Sequence, residues 1–186
     1  MVGKVRTCVF VSGKGSNLKA LIKKSNLSTF PIKIELVISN NLNSGGLKIA
    51  KKYGINTKFI EFKSKNEFES KALSELKKKQ IKLVCLAGFM KVLSANFIKN
   101  FSYKIINIHP SLLPKFRGLD THRRVLKSKE KYSGCTIHFV SPRLDSGKII
   151  LQKKILIKDN ETVKSLKKKI LILEHKAYAE AIISLF

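Results

Sequence analysis

The chain has 186 residues, 44% of them hydrophobic, with 4 prolines and 10 glycines, which excludes a disordered, collagen-like or low-complexity protein. A chain of this size can bury roughly 70% of its unfolded surface, so a single domain over residues 1–186 is expected. The net charge of +26 favours anionic partners, but it comes mostly from lysines spread along the whole chain, without an Arg-rich arm or any Trp, and so does not specify nucleic acid.

The first element is a β-branched and aromatic run, Thr7 to Val11. A glycine loop follows at once (Ser12-Gly13-Lys14-Gly15-Ser16-Asn17), and Leu18, Leu21 and Ile22 then recur at helical spacing. Glycines let backbone approach an oxyanion, and a helix N-terminus offers free amides, so this loop suits a phosphate monoester. A tight turn that merely needs glycine is nearly as good a reading. The third glycine of the dinucleotide fingerprint and the Gly-Lys-Ser/Thr of a P-loop are both missing.

Ile32 to Ile38 reads as a second strand, Gly45 to Lys52 as a helix closed by Gly54, and Thr57 to Phe62 as a third strand. Ser64 with Glu67 forms a capping box before Phe68, Ala72 and Leu76. Leu83 to Ala87 is a continuous apolar strand, expected of a sheet covered on both sides. Ser94 caps a helix carrying Phe97, Ile98 and Phe101. Lys104 to Ile108 is the fifth strand. It leads into Asn107-Ile108-His109-Pro110-Ser111-Leu112-Leu113-Pro114.

That stretch places an amide and an imidazole two positions apart on extended backbone. Their side chains share a face, and Pro110 keeps His109 out of a helix. Such a pair can stabilise a developing oxyanion and pass a proton, which is the chemistry of acyl transfer. A buried, satisfied histidine is the bland alternative for the pair taken alone.

A helix from about Thr121 is followed by strands over Cys135 to Val140 and Lys148 to Ile157, joined through Leu144-Asp145-Ser146-Gly147 and able to pair antiparallel. Asp145 reads as a hairpin residue, or as the carboxylate that holds the imidazolium if it meets the Asn–His pair. The final helix starts near Asn160 with Val163, Leu166, Ile170, Leu173 and Ala177 on one face. Glu174 is conspicuous in that largely apolar stretch. The fold class is therefore α/β, a mostly parallel central sheet with helices on both faces and a late antiparallel strand. The loops at Gly13, at Ala87 and at His109 all follow strands and should lie at the carboxyl edge, where such sheets bind ligands.

Cys8, Cys85 and Cys135 cannot all pair and lack metal-ligand spacing; with Cys8 and Cys85 in apolar runs, they suggest a reducing compartment. His122 and His138 have no partners at metal-ligand spacing, so no metal is expected. The N-terminal apolar run is too short for a secretory signal, and no stretch approaches the ~20 apolar residues of a membrane span. The cytoplasm is the expected location.

Together, Ser12 to Leu18, Leu86 to Leu93, Asn107 to Lys115, Gly134 to Val140 and Leu144 to Gly147 resemble the folate-dependent glycinamide ribonucleotide formyltransferases, from the Val9 region to the chain end. The resemblance implies a Rossmann-like formyltransferase domain that transfers formyl from 10-formyltetrahydrofolate to the ribonucleotide amine in purine (IMP) biosynthesis. It implies that Asn107 and His109 stabilise the oxyanion and handle the proton, while Asp145 holds the histidine. Gly15, Ser16 and Asn17 would bind the phosphate, with Leu171, Ile172, Leu173 and Glu174 also on the ribonucleotide side. Lys65, Met90, Lys91, Val92, Leu93, Asn107, Ser141, Pro142, Arg143, Leu144 and Asp145 would face the folate.

The departures are Lys91 where arginine is common, Arg117 and Asp120 in the loop after Pro114, and an end at Phe186 short of a tail many relatives carry. Methionyl-tRNA and sugar formyltransferases, formyltetrahydrofolate hydrolase and a nucleic-acid-binding protein on a decayed scaffold are the rivals. The intact Asn107, His109 and Asp145 set disfavours decay, so nucleic-acid and membrane partners are not expected. A monomer and a homodimer are both compatible with the sequence.

Overall fold

A computed structural model describes residues 3–186. The elements are β1 (Val5–Val11), α1 (Ser16–Ser25), β2 (Ile32–Ser39), α2 (Gly45–Lys52), β3 (Asn56–Phe59), α3 (Lys65–Lys78), β4 (Leu83–Leu86), α4 (Ala95–Asn100), β5 (Lys104–His109), α5 (Thr121–Lys127), β6 (Tyr132–Phe139), β7 (Ile149–Leu156) and α6 (Val163–Ile183). The sheet has seven strands in the order β3-β2-β1-β4-β5-β6-β7. β1 runs parallel to β2 and to β4, whereas β6 and β7 pair antiparallel, as the late strand pattern predicts. The chain divides into two compact units whose boundary falls inside β5, one up to Ile106 with Phe186 and one from Asn107 to Leu185.

In the first unit the last five residues of β1 and all of β4 are buried, because these strands are covered on both faces. Phe10 of β1 anchors an aromatic cluster, with ring centroids 5.3 Å from Phe89 and 6.2 Å from both Phe68 and Phe97. β1 lies between β2 and β4, so the strand order reverses there and opens the crevice that α/β sheets use for ligands. β3 is shorter than its apolar pattern predicts and stops at Phe59, because its partner β2 ends opposite at Ser39. Ser64 Oγ caps α3 by accepting from Glu67 N, but only this half of the expected box forms; the Glu67 carboxylate pairs with Lys71 instead.

In the second unit α6 packs against β6 through Leu166, Ile170, Ala177, Tyr178, Ala181 and Ile182, all nearly inaccessible. Glu174 takes the next place in the four-residue row that runs 166, 170, 174, 178, and is itself buried. Val163 and Leu173, expected on this face, turn away: Val163 is exposed and Leu173 half-buried. The helix begins at Val163 because Thr162 Oγ1 accepts from Ser165 N while Ser165 Oγ accepts from Thr162 N. This reciprocal cap moves the start beyond Asn160. None of the three cysteines is in a disulfide, and all are buried.

Candidate active site

The first unit brings two of the expected ligand loops together. Gly15 caps α1 in a left-handed conformation at φ 77° and offers no side-chain cap, at a helix N-terminus whose dipole favours an anion. A side chain there is excluded twice over. The conformation disfavours it, and a Cβ would lie 2.6 Å from Gly46 Cα. The Gly13 carbonyl accepts from Ser44 Oγ at 2.9 Å and Gly46 N at 3.1 Å, which fixes the loop against the start of α2. Ser12 ties this loop to the segment after β4, donating its amide to Gly88 O and accepting from Met90 N at 2.9 Å. Phe89 and Leu93 anchor that segment in the core, leaving Met90, Lys91 and Val92 exposed. The Lys91 ammonium lies 4.6 Å from the Phe62 ring centroid. Lys65 is an exposed residue at the start of α3.

The second unit gathers the reactive side chains. Asn107 and His109 project from alternate positions of β5, and Asp145 arrives from the loop between β6 and β7. Asp145 Oδ2 lies 3.3 Å from His109 Nδ1 and accepts from Gly118 N at 2.8 Å. His109 Nε2 lies 2.9 Å from the Phe116 carbonyl oxygen, which can only accept, so this nitrogen carries a hydrogen. The ring is thus held at Nε2 by the Phe116 carbonyl, with the Asp145 carboxylate facing Nδ1. Asp145 and His109 are 8% and 5% exposed, so water screens their charges poorly.

His138 completes the group, and the motifs did not single it out as a functional residue. Its Nδ1 is 2.9 Å from the Phe139 carbonyl oxygen and must donate there. In the neutral ring Nε2 then accepts, and Asn107 Nδ2 donates to it at 3.2 Å. Burial lowers the pKa of His138, outweighing the Phe139 carbonyl and the Asp145 charge, which act the other way. The neutral ring therefore orients the Asn107 amide and leaves its second N–H and its oxygen for other partners. The only advance sign of this role was the alternation along β6 that turns His138 to the face shared with Asn107.

The surrounding loops are built to hold these positions. Asp145 itself is left-handed at φ 47°, delivered by a nine-residue connection rather than a tight hairpin. Ser141 and Ser146 hydroxyls both reach the Arg143 carbonyl, closing that connection; Pro142, Arg143 and Leu144 are exposed on it. Thr136 Oγ1 donates to Ser111 O, accepts from Leu113 N and, with Leu113 O, accepts from Gln152 Nε2, stitching the Pro-Ser-Leu-Leu loop to β6 and β7. Nothing in the local pattern of Gln152 marked it for this. Phe116, Gly118 and Asp120 all have positive φ, at 58°, 79° and 55°. The two non-glycine residues cost roughly 1–3 kcal/mol each, a strain that fixed neighbours must sustain.

Glu174 is buried on α6, with Leu171 and Leu173 half-buried and Ile172 exposed beside it. Among the described residues, no group of three or more His, Cys, Asp or Glu is placed to hold a metal ion. No helix of the described residues is long and apolar enough to cross a membrane.

Comparison with known proteins gives this arrangement its context. The formyl transferase family model matches residues 5–182. The trifunctional purine biosynthetic protein adenosine-3 of Gallus gallus is 41% identical over 96% of the chain, which spans only 18% of that relative's length. The phosphoribosylglycinamide formyltransferase of Escherichia coli (strain K12) is 34% identical, with 91% of this chain and 82% of the relative covered. The crystal structure of phosphoribosylglycinamide formyltransferase from Brucella melitensis superposes with a TM-score of 0.93 at 38% identity, covering 98% of this chain and 95% of the other. With the family model and these likenesses in agreement, the chain belongs to the formyl transferase family.

Proposed function

We propose that the chain is a phosphoribosylglycinamide formyltransferase, transferring the formyl group of 10-formyltetrahydrofolate to the amine of glycinamide ribonucleotide in purine biosynthesis. The observation that carries this reading is the buried His109 ring, held between Asp145 and the Phe116 carbonyl beside an amide that His138 orients. The amine nitrogen attacks the formyl carbon directly. A tetrahedral intermediate forms with its negative charge on the former carbonyl oxygen. The Asn107 amide and the His109 ring stabilise that oxygen in a site where water screens little. The carbon–N10 bond then breaks, the amine nitrogen gives up one proton, and N10 of the folate takes one up, with His109 mediating the exchange. Asp145, 3.3 Å from Nδ1, keeps the ring aimed.

Gly15, Ser16 and Asn17 take the substrate phosphate at the N-terminus of α1, and Glu174 with Leu171 to Leu173 takes the ribonucleotide. Met90 to Leu93, Ser141 to Leu144 and Lys65 take the folate. In this reading residues 1–186 work as one formyltransferase domain in the cytoplasm, as a monomer or homodimer, with no metal and without nucleic-acid or membrane partners.

The test is to mix the protein with 10-formyltetrahydrofolate and follow deformylation optically, with and without glycinamide ribonucleotide. Deformylation that requires the ribonucleotide and yields its formylated product is the expected result. Folate turnover without the ribonucleotide would make the chain a hydrolase, and no turnover would overturn the proposed substrates.

A further inference from the structure

We infer that Arg124 is a positioning residue for the His109–Asp145 pair, acting through the loop that precedes α5. This loop touches both members of the pair. Its Phe116 carbonyl takes the Nε2 hydrogen of His109, and its Gly118 amide donates to Asp145 Oδ2, at 2.9 and 2.8 Å. Its backbone is left-handed at Phe116, Gly118 and Asp120, so it does not hold its shape by local preference. Asp120 makes no side-chain cap to α5 that would fix the loop from its far end.

The buried Ser111 hydroxyl holds the start of the loop, donating to Lys115 O at 2.7 Å, and Arg124 holds the part around Gly118. Its Nη1 donates to Arg117 O at 2.6 Å and Leu119 O at 3.1 Å, the carbonyls on either side of Gly118. The guanidinium carbon lies 5.7 Å from the centroid of the Phe116 ring. One planar cation therefore grips the residues flanking Gly118 and lies beside the residue whose carbonyl faces His109. Both bonds come from Nη1, and what lysine lacks is the planar group that lies beside the Phe116 ring at the same time. The side chain is exposed and does not approach the core, so removing it releases the loop rather than the fold.

The inference rests on the catalytic reading of His109, and two separate measurements keep them apart. Steady-state kinetics with 10-formyltetrahydrofolate and glycinamide ribonucleotide, compared across wild type, Arg124→Met and Arg124→Lys, should show kcat lowered about tenfold in the methionine variant. Both KM values should stay within about twofold, the pH profile of kcat should be displaced, and lysine should restore only part of the loss. Independently of substrate, the ring nitrogen resonances of His109 in ¹⁵N-histidine-labelled protein should move in Arg124→Met.

Unchanged kcat with unchanged His109 resonances would overturn the inference. So would a lower kcat accompanied by a lower melting temperature but an undisturbed His109 signal. Should the methionine variant not fold, Arg124→Lys decides, and full wild-type behaviour there overturns the role of the guanidinium. A wild-type protein inert towards both substrates, with the His109 resonances still displaced in the variant, would remove the proposed activity and leave the positioning role standing.

Discussion

In the proposed reaction His109 exchanges a proton, and the Phe116 carbonyl and Asp145 fix the aim of its ring. Replacing it with alanine removes the exchange and the ring together. His109→Ala is expected to lower turnover about 10²–10⁴-fold with the far-ultraviolet circular dichroism unchanged; near-wild-type turnover would take the residue out of the mechanism. Asp145→Asn is a subtler change. The amide oxygen can still accept from Gly118 N, so the loop contact survives, while the charge facing His109 is lost. Turnover should fall and its pH profile should shift, because the carboxylate that faces the ring is gone. An unaltered profile would reduce Asp145 to a turn residue. His138 shows why this scale is hard to read from a sequence. Asn107, His109 and Asp145 stand out by residue type and order, but a histidine that acts only by accepting from Asn107 has no pattern of its own.

At the scale of elements, the glycines between the strands matter as much as the strands. Gly134 faces β7 so closely that a Cβ would lie 2.0 Å from the Lys153 carbonyl oxygen and 2.6 Å from Leu112 Cδ2. Gly134→Ala must therefore spread the antiparallel pair and also displace the Leu112 side chain of the loop after His109. A loss of at least about 2 kcal/mol is expected, read as a lower urea midpoint. A midpoint within error of wild type would mean that β6 accommodates the methyl group. The alternation of strands and helices and the antiparallel turn of the last strand were legible because they rest on periodicity, which depends only on the residues concerned. Element ends were less so. β3 stops where its partner stops, and α6 starts at a Thr–Ser cap that departs from the usual Ser/Thr-x-x-Glu pattern. The burial of Glu174 was visible only as an oddity of composition, because its place in the 166–170–174–178 row depends on how α6 rolls against β6.

The molecule as a whole carries three partly buried histidines whose neutral forms are favoured in the folded state. Burial lowers the pKa of His122, His138 and His175; for His122 the charges of Lys167 and His109 add to it. The unfolded chain therefore binds more protons than the folded one below the ordinary histidine value of 6.5. Their contribution to stability is complete above that pH and is lost as the pH falls through the lowered folded values. Urea unfolding at a series of pH values should show stability falling from about pH 6.5 downward, and His138→Gln should flatten the slope. A variant with the wild-type slope would show that His138 does not contribute to it. The charge of +26 works in the same direction, since each added proton joins a surface that already repels itself.

The three cysteines give the molecule a practical property. Burial pushes the thiol of Cys8 well up and, aided by the charge of Glu174, that of Cys135 to about 12, and Cys85 is equally inaccessible. The native protein should thus resist alkylation without any cysteine having been removed. A single cysteine introduced at Leu119, which is 76% exposed beside Gly118, would be the one thiol a maleimide dye reaches. The loop that brackets His109 can then be followed by fluorescence in the otherwise unaltered chain.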